Sequence, residues 1–198
     1  MIGFYDYTVF LTYLNLLFGG IGIYSAIEGN ISKSLFCLVL AGICDAFDGS
    51  VANRKPQRSW SEILYGIQID SLADIVSFCL LPATIILTTT EMTSFHLLAA
   101  LFFILSGLIR LAYFNVTEIQ RKLDKKTVPR THFLGLPVTS VAFLLPIYWG
   151  ISQLYSLSFS PKIFFFFIGI AFISPIKIPK MVHHKKVRSK KHEEKIAR

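Results

Sequence analysis

Long apolar runs separated by short polar connections set the pattern of this chain. A helix needs ~20 mostly apolar residues to cross the hydrocarbon core of a bilayer. Six runs meet that need, and they predict helices at about 7–28, 34–53, 64–88, 94–115, 134–154 and 160–176. Continuous hydrophobicity over such lengths excludes the strands of a membrane barrel, which alternate in shorter segments. The expected fold class is all-α, a polytopic membrane helical bundle with about six transmembrane helices. Residues 1–180 form the expected transmembrane domain, and 181–198 a basic tail.

Composition agrees with the pattern. At 198 residues the chain is 53% hydrophobic and holds 18 Phe, with a mean hydropathy of +0.56. That is too apolar for a soluble domain of this size. Cys37, Cys44 and Cys79 all lie in apolar runs, which suits lipid- or core-facing small hydrophobes and neither a disulfide framework nor a thiolate metal site. The opening "MIGFYDYTVF" lacks a basic leader and its apolar run is long enough to span, so no cleavable signal peptide is expected.

Charge placement predicts orientation. Of 20 Lys and Arg, 18 fall on one side of the predicted spans, leaving only Lys33 and Lys162 opposite. The positive-inside rule then puts both termini and the long loops in the cytoplasm. A net charge of +8 spread this way reads as a topology anchor beside anionic lipid, with no nucleic-acid partner expected.

Four acidic residues break the apolar runs: Asp45 and Asp48 in the second, Asp70 and Asp74 in the third. A carboxylate at mid-membrane costs about 2.5–3.5 kcal/mol on insertion scales, which makes each a functional candidate. Spacings of three and four place each pair on one helical face. Asp45 and Asp70 lie at matched depth, roughly 10–13 Å inside the cytoplasmic boundary at ~1.5 Å per residue. The two spans are antiparallel neighbours, so both pairs converge on one pocket. Four converging carboxylates need cations, and an all-oxygen set favours hard divalent ions such as Mg²⁺ or Mn²⁺. Gly49 and Ala52 share the face of Asp45, and Gly66 stands four residues before Asp70. These small side chains leave a groove for a flat ligand or serve a helix–helix contact. Cations in "RKPQR" stand close by, able to meet phosphates. Together these features describe a diphosphate-linked substrate. A proton or cation transporter is the competing class, but the outer halves "LFCLVLAG" and "CLLPATIIL" offer no polar path across.

The order "DAFDGSVANR" (45–54) then "GIQIDSLAD" (66–74) resembles the signature of the CDP-alcohol phosphotransferase family, eight motif residues in sequence. Two departures stand out: Asn53 intervenes before Arg54, and the gap from Arg54 to Gly66 is longer than usual for the family. Further stretches, "IDSLADIVSF", "RLAYFN", "GLPVTS" and "IKIPK", resemble the phosphatidylserine synthase branch, so the likeness runs from about residue 10 to 180.

The resemblance implies transfer of a phosphatidyl group from CDP-diacylglycerol to L-serine, releasing CMP. By the same resemblance Asp45, Asp48, Asp70 and Asp74 hold two divalent ions, and Asp74 is also the general base. Asn15, Asp45, Gly49, Ala52, Arg54 and Gly66 are expected to bind the CDP moiety, although Asn15 equally suits a bond to a neighbouring helix. For the acceptor, Arg110, Tyr113, Asn115 and Lys177 are the candidates. Snorkelling accounts equally well for Arg110, and anchoring at the membrane boundary for Lys177. The same chemistry on glycerol 3-phosphate or an inositol phosphate is an alternative. A homodimer in the cell membrane, its site open to the cytoplasm, completes what the resemblance implies.

Overall fold

Among the described residues of the computed structural model, five apolar helices are long enough to cross a membrane: Tyr7–Ile27, Ile31–Ala52, Trp60–Thr89, Ser94–Leu123 and Val138–Tyr155. The structure describes residues 3–4, 7–52, 54–55, 58–89, 93–123, 132–155 and 161–179. Asn53, Lys125, Lys126, Arg130 and the tail 181–198 lie outside these. The sixth expected span is a shorter apolar helix, Pro161–Ile173, of 13 residues. It reaches about 20 Å at 1.5 Å per residue, short of a ~30 Å hydrocarbon core. Proline at its first position suits a helix start, and Pro175 just beyond its end cannot continue it.

We number the helices α1 (Phe10–Ile27), α2 (Ile31–Ala52), α3 (Trp60–Asp74), α4 (Leu81–Thr89), α5 (Ser94–Leu123), α6 (Val141–Tyr155) and α7 (Pro161–Ile173). Between α3 and α4 the chain winds through a π-helical segment, Ile75–Leu80, so the two form one continuous rod.

α1 and α2 form a tight hairpin. Gly29 takes a φ of 79° that closes the turn, and Asn30 Oδ1 caps α2 by accepting from Lys33 N at 3.1 Å. Ser34 Oγ donates to the Gly22 carbonyl at 2.9 Å, tying the two helices together near the turn. A Cβ on Gly19 would stand 2.4 Å from Ser77 Oγ, so α1 lies directly against the π segment only because that position is glycine. Apolar burial supplies little drive between helices in lipid, so close packing and such hydrogen bonds carry the association.

The start of α3 is fixed by a capping box. Ser59 Oγ accepts from Glu62 N at 3.2 Å, and Glu62 Oε2 accepts from Ser59 N at 2.7 Å. Glu62 Oε1 also pairs with Lys55 Nζ at 2.9 Å. Phenylalanine rings join α5 to α7, with Phe103 and Phe165 edge to face at 4.5 Å. Phe78, Phe103, Phe165, Phe172, Leu38, Leu81, Ile85 and Leu145 fill the centre of the bundle. Phe36, Leu101, Leu105 and Phe167 point outward and remain exposed, as expected of helices apolar on all sides. Cys37, Cys44 and Cys79 are buried free thiols.

One element departs from a purely helical reading. Strands β1 (His132–Leu134) and β2 (Lys177–Pro179) pair antiparallel, with Leu134 opposite Lys177. Gly135, at φ 76°, then donates its N–H to the Ile176 carbonyl at 2.8 Å, and Leu136 N donates to Ala171 O at 3.0 Å. The segment leading into α6 is thereby fastened to the end of α7.

Candidate active site

Three helices build the site. α2 supplies Asp45 and Asp48, α3 supplies Asp70 and Asp74, and α1 supplies Thr12 and Asn15. Carboxylate oxygens of Asp45, Asp70 and Asp74 all lie within 4.8 Å of one another. Asp48 sits at the rim of this trio, where its carboxyl reaches that of Asp70. Its Oδ2 accepts from Thr12 Oγ1 at 3.3 Å.

Asp74 is the deepest of the four, 4% exposed. It is the last residue of α3, directly before the π segment. A wider turn there alters the facing of everything that follows, and such turns recur at functional sites. Asn15 Nδ2 donates to Asp74 Oδ1 at 3.0 Å. The π segment in turn grips α1, since Ser77 Oγ donates to the Asn15 carbonyl at 3.0 Å.

Three carboxylates this close repel one another unless a cation lies among them. Asp70 Oδ1 is buried and finds no hydrogen-bond partner among the described residues, the condition of an oxygen that a metal would complete. The donors are all oxygens, the set that hard divalent cations prefer. Asp45, Asp70 and Asp74 thus form a buried acidic cluster compatible with a divalent-metal site.

Around the cluster the other expected residues divide. Gly49 has no described residue within 4 Å of where a Cβ would point, while Ala52 ends α2 half-buried. Arg54 is exposed in the turn after α2, its N–H on the Val51 carbonyl at 3.1 Å. Gly66 is covered by Arg58, the last cation of "RKPQR": its Nη2 lies 2.9 Å from where a Gly66 Cβ would stand. On α5, Asn115 is buried and its Oδ1 accepts from Ser71 Oγ at 2.8 Å, next to Asp70 in sequence. Arg110 is buried as well, and its guanidinium donates to the carbonyls of Leu136 at 3.3 Å and Gly135 at 3.4 Å. Arg110 and Tyr113 line a cavity of about 220 Å³ with Phe172, Ser174 and Pro175. Lys177 is described through its backbone, opposite Leu134 in the strand pair.

Thr12 and Ser71 were not among the sequence candidates. Thr12 precedes Asn15 by three positions and so shares its helical face, a spacing that makes it legible once Asn15 is noticed. Ser71 carries no such signal, because a serine in an apolar helix ordinarily bonds its own backbone.

Comparison with known proteins places this geometry in context. Residues 8–173 match the family model of the CDP-alcohol phosphatidyltransferases. The CDP-diacylglycerol–serine O-phosphatidyltransferase of Saccharomyces cerevisiae is 34% identical over 195 residues, covering 85% of this chain and 69% of that protein. The enzyme of the same name from Methanocaldococcus jannaschii is 30% identical over 171 residues, 86% of this chain and 72% of its own. An archaetidylserine synthase of Methanothermobacter thermautotrophicus is 26% identical over 172 residues, 86% and 68% of the two chains. The chain belongs to the CDP-alcohol phosphatidyltransferase family and is homologous to the CDP-diacylglycerol–serine O-phosphatidyltransferases.

Proposed function

We propose that the chain transfers the phosphatidyl group of CDP-diacylglycerol to the hydroxyl of L-serine, giving phosphatidylserine and CMP. The observation that carries this reading is the approach of Asp45, Asp70 and Asp74 to within 4.8 Å, at the end of a helix whose last carboxylate is held by Asn15. Serine as acceptor is supported by the relatives, which carry serine in their names while differing in the lipid.

In this reading the serine oxygen forms a bond to the phosphatidyl phosphorus, and the bond from that phosphorus to the CMP oxygen breaks. CMP leaves with the electron pair, and the hydroxyl proton passes to Asp74. Two Mg²⁺ or Mn²⁺ ions held by Asp45, Asp48, Asp70 and Asp74 would neutralise charge on the phosphoryl oxygens and the leaving group. Asn15 aims the Asp74 carboxylate with its 3.0 Å hydrogen bond, and burial shields that carboxylate from bulk water. The open space beside Gly49 receives the cytidine, bounded by Ala52. Arg110 and Tyr113, on the wall of the 220 Å³ cavity, are the acceptor-side residues, with Asn115 and Lys177 as further candidates. The positive-inside distribution supports a site open to the cytoplasm with both termini on that side, and the enzyme acts as a homodimer in the cell membrane.

Purified protein in nanodiscs, given CDP-diacylglycerol, Mn²⁺ or Mg²⁺ and a panel of acceptors, tests this by CMP release. Serine-dependent release is expected. Turnover with glycerol 3-phosphate and none with serine would overturn the acceptor assignment.

A further inference from the structure

Glu62, Gly66, Asp70 and Asp74 follow one another at intervals of four along α3, so they share one face that leads from the helix start down to the acidic cluster. Arg58 lies on this face. Its Nη2 donates to the Glu62 carbonyl at 3.2 Å and rests over Gly66, where a Cβ would meet it at 2.9 Å. Its Nε is buried with no hydrogen-bond partner among the described residues.

Among the described residues, Glu62 and Glu118 are each held by other donors. Glu62 is taken by Lys55 Nζ at 2.9 Å and by Ser59 N at 2.7 Å. Glu118 is forked onto Arg121 at 2.6 and 3.1 Å. Lys122, from the last turn of α5, comes close enough to Arg58 for the two positive charges to repel. A half-buried guanidinium with an unpaired N–H and a second cation beside it is configured for an anion. Gly66 and Asp70 are four residues apart, about 6 Å along the axis at 1.5 Å per residue. One phosphorylated ligand can therefore touch the guanidinium and the acidic cluster together. A guanidinium offers phosphate paired, directional donors.

Building on the proposed function, we infer that Arg58, cradled on Gly66 and supported by Lys122, binds a phosphate of the cytidine nucleotide, the contact that the family resemblance assigns to Arg54. Arg54 is exposed in the turn after α2, whereas Arg58 reaches the face of the aspartates. A side chain at 66 would meet Nη2 at 2.9 Å and shift the guanidinium from this position.

Binding of CDP and of cytidine, measured separately by calorimetry on the full chain in nanodiscs with Mn²⁺, isolates the phosphate contribution. In Arg58→Gln, CDP is expected to weaken about tenfold or more, as for loss of a charge-assisted hydrogen bond, with cytidine binding unchanged. Arg58→Lys, which keeps the charge, is expected to lose less, and Lys122→Gln to give a smaller loss confined to CDP. Equal weakening of CDP and cytidine in Arg58→Gln would mark Arg58 as structural and overturn the inference. Unchanged CDP affinity would overturn it too. If wild-type activity then rose with anionic lipid in the nanodisc and Arg58→Gln lost that response, the guanidinium's phosphate would belong to a lipid headgroup instead. A wild-type chain that binds no CDP would refute the transferase reading itself, an outcome distinct from any of these.

Discussion

Asn15 Nδ2 donates a 3.0 Å hydrogen bond to Asp74 Oδ1, joining α1 to the end of α3 across 59 residues of sequence. Both residues are buried, and Ser77 Oγ holds the Asn15 backbone in place. Asn15 Oδ1 is buried without a hydrogen-bond partner among the described residues, leaving acceptor capacity beside the cluster for a ligand.

Losing that bond should misdirect the carboxylate without removing it. Asn15→Ala is expected to lower kcat by about 10- to 100-fold, since hydrogen bonds to charged groups are worth about 1.5–3 kcal/mol. Initial rates of CMP release at saturating donor measure this, and an unchanged kcat would deny Asn15 its positioning role.

Metal dependence follows from the cluster. Chelation with EDTA should abolish turnover, and Mn²⁺ or Mg²⁺ should restore it. Asp70→Asn removes charge from the trio and from the oxygen lacking a partner. It is expected to raise the half-saturating Mn²⁺ concentration about tenfold or more. An activation curve that coincides with wild type would place the metal elsewhere.

Two adjacent glycines in α1 give an internal control for packing. Gly19→Ala would bring its Cβ to 2.4 Å from Ser77 Oγ and 3.1 Å from Ser77 Cα. Overpacking of this kind costs about 1–3 kcal/mol. Gly20 faces open space, so Gly20→Ala should be neutral or stabilising by up to about 1 kcal/mol. Thermal unfolding in detergent should separate the two variants, and equal melting temperatures would contradict the close approach of α1 to the π segment.

Ser71 and Asn115 should be coupled. Removing either side chain strands a buried partner, at about 1–3 kcal/mol. Removing both should cost less than the two single losses combined, by about 0.5–3 kcal/mol for residues in contact. Stability measured for Ser71→Ala, Asn115→Ala and the double variant gives this coupling directly, and strict additivity would speak against the bond.

Much of this was legible in the sequence because the signals were local. Five of the six expected spans appear as apolar helices of spanning length, since hydropathy over ~20 residues depends little on partners. Asp45, Asp70 and Asp74 meet because helical periodicity sets each on an inward face, although the expected direct pairing of α2 with α3 gives way to α1, which packs against both. Other features depend on contacts the sequence does not display. Asn15 shows no preference in sequence between a nucleotide and a helix partner, and its bond to Asp74 depends on how α1 crosses α3. The π segment lies inside an apolar run with no interruption to announce it. Pro161 and Pro175 bracket the last helix, but its aromatic run reads as a span by composition. The β1–β2 pair is only three residues a side, too short for an alternating pattern to reveal. Gly66 looks like a groove residue from sequence, yet Arg58 Nη2 lies 2.9 Å from where its Cβ would stand.

The proposed role of Asp74 is to take the proton from the acceptor hydroxyl inside the aspartate cluster. Its most direct measurement is serine-dependent CMP release by purified wild type and Asp74→Asn, at saturating CDP-diacylglycerol and Mn²⁺. The expected result is a fall in kcat of about 10²–10⁴-fold, the usual contribution of a general base, with the variant still folded and still binding CDP. Wild-type turnover in Asp74→Asn would rule out that role.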